Sequence, residues 1–303
     1  MKQNMLEQRP DLLITGATGN VGFETLRALN AAGVMPLGAV RDPQKARAIL
    51  EGKAILVRFD FLDSSTYTGA LTGVKGMLLV RPPEIAQVDR YFRPLLEEAR
   101  AAGVQQVVFL SLLGAATNTV VPHHKIEKLL LELNIPHVFL RAGFFMQNLS
   151  TTHQADIRDR DDVFVPAGHG KTSFIDARDI GEVASLALLE RHQNVEYDLT
   201  GDEALTYGEV AQILSEELDR PIRYSQPNIF KFALERRKHG DSWPFIGVML
   251  GIYLVAALGK AAQVTDTTRA LLGRPATTLR EFVGRNKALW TPISSKTQKG
   301  DLE

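Results

Sequence analysis

The stretch Thr15-Gly16-Ala17-Thr18-Gly19-Asn20-Val21-Gly22 constrains this chain more than any other. The apolar run Leu12-Leu13-Ile14 precedes it, and a helical pattern from Phe23 to Ala32 follows. Strand, glycine-rich turn and helix in that order make a cradle for a pyrophosphate. A glycine where strand becomes helix reaches backbone angles that a Cβ obstructs. A second glycine, facing the ligand, lets the backbone close on the phosphates; the third, Gly22, lets the helix pack close to the strand. The helix amino end presents N–H groups and a partial positive charge to an anion. The spacing is Gly-x-x-Gly-x-x-Gly, not the Gly-x-Gly-x-x-Gly of the common dinucleotide fingerprint. A variant class of nucleotide-binding protein is therefore expected.

The first half of the chain alternates strand and helix. Apolar, β-branched runs fall at Leu12–Thr15, Leu37–Val40, Ala54–Phe59, Gly76–Val80, Gln106–Leu110 and His137–Leu140. Helical patterns separate them at Val21–Ala32, Pro43–Leu50, Ser64–Leu71, Ile85–Ala102 and His123–Leu133. Continuous apolar strands joined by helices predict a parallel sheet covered on both faces. Right-handed crossovers make that an α/β doubly wound fold, with ligands at the carboxyl ends of the strands. After Phe144 the rhythm changes. A charged segment, Asp156 to Asp162, leads to a short strand at Thr172–Asp176, a helix at Asp179–Leu189 and one more strand at Tyr197–Thr200. Thr206 with Glu209 reads as a capping box opening a helix to Leu218. The remainder, Pro221 to Leu289, reads as mainly helical. The expected organisation is a nucleotide domain of residues 1–150 plus 172–202, a smaller, mostly helical substrate lobe of 151–171 and 203–290, and a tail from 291 to 303.

Bulk properties narrow the function. The 303 residues suffice for one substantial core or a larger and a smaller lobe. Lys+Arg and Asp+Glu balance at 35 each, which favours neither nucleic acid nor an anionic membrane as partner. Without cysteine there are no disulfides, thiol nucleophiles or thiolate metal sites, and no metal centre is expected. Lys2, Glu7 and Arg9 leave no apolar segment for a signal peptide, and the terminal Leu302-Glu303 carries no weight. The longest apolar stretch, Phe245 to Leu258, is too short to span a bilayer and reads as a buried or pocket-lining helix. A cytoplasmic protein acting on a small molecule is expected, with a homodimer allowed.

Several positions carry chemistry. Arg41 ends the second strand, where an acidic residue would bind the ribose hydroxyls of NAD and a cation would meet the 2′-phosphate of NADP. The alternative is a surface pair with Asp42. Asp60-Phe61 ends the third strand, at the corner where an adenine rests in this fold; the carboxylate would accept from the exocyclic amine and the next N–H would reach a ring nitrogen. Asp60 is otherwise a turn-capping aspartate. Val80-Arg81-Pro82-Pro83 fixes an extended exit from the fourth strand, near the expected path of the nicotinamide ribose, where backbone contacts are favoured and Arg81 either reaches a phosphate or substrate or is salt-bridged on the rim. Ser111 ends the fifth strand, and His123-His124-Lys125 opens the next helix. A short-chain dehydrogenase keeps its serine, tyrosine and lysine here. Lys125 fits the lysine, as ribose ligand, but one turn earlier stands Val121, which cannot donate a proton. His124 or its neighbour His123 is a candidate substitute, each being otherwise a solvated or capping residue at a helix start. Phe144, Phe145 and Asn148 follow the sixth strand and offer rings and an amide to a flat aromatic substrate.

Taken together these residues resemble the NmrA-like group of atypical short-chain dehydrogenases/reductases. The resemblance runs from Leu12 to about Trp290. It is carried by the glycine turn, Val40-Arg41-Asp42-Pro43, His124-Lys125-Ile126-Glu127, Leu140 to Asn148, Ile175 to Gly181, Tyr197 to Gly201 and Thr278 to Val283. It implies a Rossmann core that binds NADP(H), and sometimes NAD(H), beside a small substrate lobe. Members include NADPH-dependent reductases of quinones and of azo or triphenylmethane dyes, and redox sensors that bind dinucleotide without turnover. Related phenylpropanoid reductases use a lysine near Lys125 as general base. Three functions are thus in play: a reductase of a quinone-like or dye-like acceptor, with Lys125, His124 and Ser111 as catalytic candidates; a non-catalytic NADP(H) sensor; and an epimerase or dehydratase, against which Val121 argues.

Overall fold

The structure, a computed structural model, describes residues 10–292. Lys2, Glu7, Arg9 and the tail from residue 293, with Leu302 and Glu303, lie outside the described residues. The chain forms two compact units. One comprises the residues up to Phe145 with Ile175–Asp202 and Thr265–Ala276; the other comprises Met146–Phe174, Glu203–Val264 and the residues from Thr277 on.

The first unit is a Rossmann-type layer structure. Its strands are β1 (Leu12–Ile14), β2 (Leu37–Val40), β3 (Ile55–Arg58), β4 (Gly76–Val80), β5 (Gln106–Leu112), β6 (His137–Ala142) and β7 (Val195–Leu199). They pair in the order β7-β6-β5-β4-β1-β2-β3, every pair parallel. The helices are α1 (Asn20–Ala31), α2 (Pro43–Leu50), α3 (Tyr67–Leu71), α4 (Val88–Ala101), α5 (Pro122–Glu132), α6 (Ala177–Leu189) and α7 (Thr267–Leu272). Alternate residues of the strands feed two cores. Leu13, Met77, Leu79, Val107, Phe109 and Phe139 pack under α4 and α5 residues such as Phe92, Leu95, Ile126 and Leu129. Leu12, Ile14, Leu78, Val108 and Leu140 pack with Leu26 and Leu29 of α1 and Ile180 and Val183 of α6. Burial on both faces is why these strands read as unbroken apolar runs. Chain order reverses at β1, which lies between β4 and β2, so a crevice opens at the carboxyl edge there. The α1 and α6 helices approach closely: a Cβ on Gly181 would stand 2.7 Å from the Glu24 backbone.

One segment sits elsewhere than its composition implies. Residues Thr265–Ala276, expected with the substrate lobe, group with the first unit. The Thr265 hydroxyl donates to the Asp198 carbonyl at 2.6 Å, and that of Thr268 to the Thr200 carbonyl at 2.7 Å.

The second unit is mostly helical, with helices at Gln154–Arg160, Tyr207–Leu218, Ile229–Lys238, Trp243–Ala257 and Leu279–Asn286. Short pairings brace it: Lys171–Ser173 runs antiparallel to Ala204–Thr206, and Asp162–Val163 parallel to Arg223–Tyr224. The capping box of Thr206 and Glu209 is present. Its core is aromatic, with Tyr207, Tyr253, Phe232 and Phe164 in ring contact. The charged segment 156–162 is not a solvated loop. Asp156 is buried and pairs with Arg236 at 3.4 Å and Arg160 at 3.2 Å, because a carboxylate taken from water needs cationic partners. The apolar helix is only half covered: Ile246, Met249, Tyr253 and Ala256 form one buried stripe, while Trp243, Val248, Leu254 and Leu258 are exposed. No helix among the described residues is long and apolar enough to cross a membrane.

Candidate active site

The turn between β1 and α1 is set by its glycines. Gly16 has φ +61°, in the left-handed region. A Cβ on Gly22 would lie 2.2 Å from the Gly16 carbonyl oxygen, so only glycine lets α1 start this close to the turn. The Gly19 N–H donates to that same oxygen at 2.8 Å. Thr15 locks the base of the turn. Its hydroxyl donates to the Leu78 carbonyl at 2.9 Å and accepts from the Val80 N–H at 2.8 Å, joining β1 to β4. Asn20, Val21 and Gly22 form the first turn of α1, where N–H groups have no intrahelical partner. The N-cap, Gly19, has no side chain to cap them, and no acidic residue occupies that turn. Thr18, Gly19 and Asn20 are exposed, so the positive helix end faces solvent.

The other strand ends line the same carboxyl edge, since all seven strands run parallel. Arg41, just beyond β2, is exposed and makes no ion pair among the described residues. Asp42 is not its partner; it caps α2, accepting from the Gln44 and Lys45 N–H groups at 3.0 and 3.2 Å, and pairs with Lys45. Asp60, beyond β3, accepts the Leu62 N–H through Oδ1 at 2.9 Å. The Phe61 ring is core, edge-on to Phe59 with centroids 4.9 Å apart, which leaves its backbone as the group able to meet a ligand. The guanidinium of Arg81 is turned onto its own loop. Its Nη1 donates to the carbonyls of Pro82, Pro83 and Ile85 at 2.8–3.0 Å, and burial lowers its pKa. Arg81 thus shapes the exit from β4.

The β5–α5 region departs most from its sequence reading. Ser111 is buried, and its hydroxyl donates to Glu127 Oε1 at 2.5 Å. Glu127 in turn receives Arg141, Nε on Oε1 at 3.0 Å and Nη2 on Oε2 at 2.7 Å. Ser111 therefore points into a buried ion pair, whose charge outcompetes any neutral acceptor for its proton. The hydrogen bonds from Arg141 to Glu127, against the penalty of burial, raise the guanidinium pKa. Val121 is the N-cap of α5 and supplies no polar group. Burial, and then the charge of Arg81, pushes the His123 imidazole down to about 4. Its ring stacks on Phe109, so it is neutral at pH 7 and a poor proton donor. His124 Nδ1 lies 2.9 Å from the Ala115 carbonyl, to which it donates, so Nε2 is the ring nitrogen not engaged by that contact. Lys125 is exposed and without an ion pair among the described residues. Phe144 and Phe145 are half-buried at the end of the first unit; Asn148 is half-buried in the short helix Gln147–Ser150 of the second.

The sequence reading left Glu127 and Arg141 without a role. The signal was present: an arginine inside an apolar strand and a glutamate on the apolar face of a helix must find each other. In the second unit it missed His153, Asp156 and Arg236, all buried.

A doubly wound sheet, a glycine turn at β1 and a free cation after β2 define a dinucleotide-binding protein of the atypical dehydrogenase class. The chain belongs to the NmrA-like family, whose model matches residues 8–235. It is 34% identical over 282 residues to NAD(P)H azoreductase of Xenophilus azovorans, covering 91% of this chain and 98% of that protein. It is 28% identical over 279 residues to quinone oxidoreductase 2 of Escherichia coli strain K12, covering 90% and 97%. Among solved structures, the NADPH-dependent quinone oxidoreductase of E. coli complexed with NADPH superposes with a TM-score of 0.82 at 27% identity, over 91% of this chain and 99% of that one. Citrobacter sp. triphenylmethane reductase complexed with NADP(H) shares the fold, with a TM-score of 0.79 at 23% identity over 91% and 99%.

Proposed function

We propose that the chain is an NAD(P)H-dependent reductase of a small aromatic acceptor, quinone-like or dye-like. The observation that carries this reading is the uncapped amino end of α1 over a turn that admits only glycine at position 22, on a chain whose relatives include an azoreductase and a quinone oxidoreductase. The residues fit a phosphorylated dinucleotide. Gly16, Thr18, Gly19, Asn20, Val21 and Gly22 would hold the pyrophosphate, the unengaged Arg41 the 2′-phosphate, Asp60 and the Phe61 backbone the adenine, and Lys125 the nicotinamide ribose. NADP(H) is preferred over NAD(H) on the strength of Arg41. The bound nicotinamide would supply the hydride.

The chain's own contribution is binding and orientation, which account for much of the rate when a catalytic acid is missing. A quinone or quinone-imine takes its final proton from water or from the exposed Lys125 ammonium, so Val121 is tolerated. His124, with Nδ1 committed, would act through Nε2. Phe144, Phe145 and Asn148 are the candidate acceptor contacts, and helix Trp243–Ala257 carries an exposed apolar side. Balanced charge fits a cytoplasmic protein that acts on a small molecule rather than nucleic acid, and the same exposed side chains are compatible with a homodimer.

One observation favours a sensor instead. Val121, a neutral His123 and a diverted Ser111 leave little proton-transfer machinery at the start of α5. Following NADPH absorbance at 340 nm with a panel of quinones and azo dyes separates the two. Turnover with at least one class is expected; tight binding of NADPH and NADP with no turnover would favour the sensor.

A further inference from the structure

Ser111 of β5 and Arg141 of β6 are register partners on adjacent parallel strands. Both side chains stand on the sheet face covered by α5, alongside Phe109 and Phe139. Glu127 enters between them from α5, and both its oxygens are engaged. Arg141 Nη1 continues to Glu196 of β7 at 2.5 Å. A buried cluster of Ser111, Glu127 and Arg141 therefore ties α5 to β5 and β6, and the exposed Glu196 extends it to β7 at the surface. Such a cluster is a poor source of stability, because desolvating the charges offsets most of their attraction. Its geometry is a different matter: a bidentate guanidinium–carboxylate pair fixes both distance and direction.

The element so fixed is the amino-terminal half of α5, held through Glu127 in its second turn. Lys125 lies two residues before Glu127, on nearly the opposite side of the helix at about 100° per residue. Glu127 points into the sheet while Lys125 points out. A serine hydroxyl consumed inside this cluster cannot polarise an acceptor. We infer that Ser111 and Glu127 are positioning residues, which set the height and rotation of α5 so that Lys125 meets the dinucleotide ribose. The inference rests on the assignment of Lys125 to that ribose, but not on turnover. A misplacement of about 1 Å at such a contact is enough to lose much of its effect.

The test is a double-mutant cycle read in the NADPH dissociation constant by fluorescence titration, so it stands whether or not the protein reduces anything. Ser111→Ala removes one hydroxyl and leaves the Glu127–Arg141 pair, so the variant folds. It is expected to weaken NADPH binding about tenfold, and Ser111→Thr to regain most of that loss. In a Lys125→Ala background, Ser111→Ala should cost nothing further, since the group it positions is gone. A loss of equal size in both backgrounds, or no loss in either, would overturn the inference. Weak NADPH binding by the unaltered protein would instead point to failure of the dinucleotide assignment itself.

Discussion

Gly22 stands against the backbone carbonyl of Gly16 at a distance only glycine permits: the Cβ that alanine would place on Gly22 falls 2.2 Å from that oxygen. The oxygen cannot retreat, because it already accepts the Gly19 N–H and sits at the end of a fully buried strand. The same contact that brings α1 against the turn also aims its first N–H groups outward. Gly22→Ala should therefore cost stability and ligand affinity together. Overpacking of this kind costs about 1–3 kcal/mol, which lowers the thermal midpoint by several degrees. NADPH affinity should fall at least tenfold. Gly247→Ala is the matched control. That helical glycine has nothing within 4 Å of its Cβ position, so alanine there should gain up to about 1 kcal/mol from helix propensity. Calorimetric midpoints and NADPH titrations of the two variants check both outcomes.

Arg41 is spare: its neighbour Asp42 is occupied as a helix cap and with Lys45. Hydrogen bonds from a guanidinium to a phosphate are worth about 1.5–3 kcal/mol. Arg41→Ala is expected to weaken NADPH binding roughly 10–100-fold and leave NADH binding within about twofold. Equal, unchanged affinities for both would remove the 2′-phosphate from this position.

Most of the fold was legible because period and punctuation agreed. The strands at Leu37–Val40 and Gly76–Val80 and the helix Pro43–Leu50 lie where the apolar runs predict. Others moved by a residue or a few; β5 runs on to Leu112 because its polar Ser111 is buried with a partner. The glycine turn and Arg41 were legible as local features, carried by backbone sterics and strand order. What was not legible depended on contacts distant in sequence. Ser111, Glu127 and Arg141 come from three elements, and no short motif announces that they meet. Arg81 has a local partner set, yet its turn onto Pro82, Pro83 and Ile85 depends on how the loop folds back. For the apolar helix, read as buried or pocket-lining, hydrophobicity alone did not say which side is covered: one stripe is buried and the opposite side chains are exposed.

The buried histidines give stability an acid limit. Burial, then the charge of Arg236, pushes the His153 imidazole down to about 3, and His123 lies at about 4. Both values sit below the unfolded value of about 6.5. Between them the unfolded chain binds protons that the folded protein does not, so stability is full above about pH 6.5 and is lost as pH falls. Each histidine contributes up to about 1.4 kcal/mol per pH unit across its window. His153→Gln keeps a polar group for Tyr253 and removes one titration. Its thermal midpoint should fall less steeply between pH 6.5 and pH 4 than that of the unaltered protein; parallel slopes would contradict the assignment.

NADPH held by the glycine cradle is expected to reduce an acceptor that the chain orients without a tyrosine acid. Anaerobic single-turnover mixing of the NADPH-loaded protein with a quinone tests it most directly. One NADPH is expected to be consumed per acceptor reduced, deuterium at nicotinamide C4 to slow the step, and substitution of Lys125 to slow it without abolishing it. An NADPH absorbance that stays constant with every quinone and azo dye, while NADPH remains tightly bound, would contradict it.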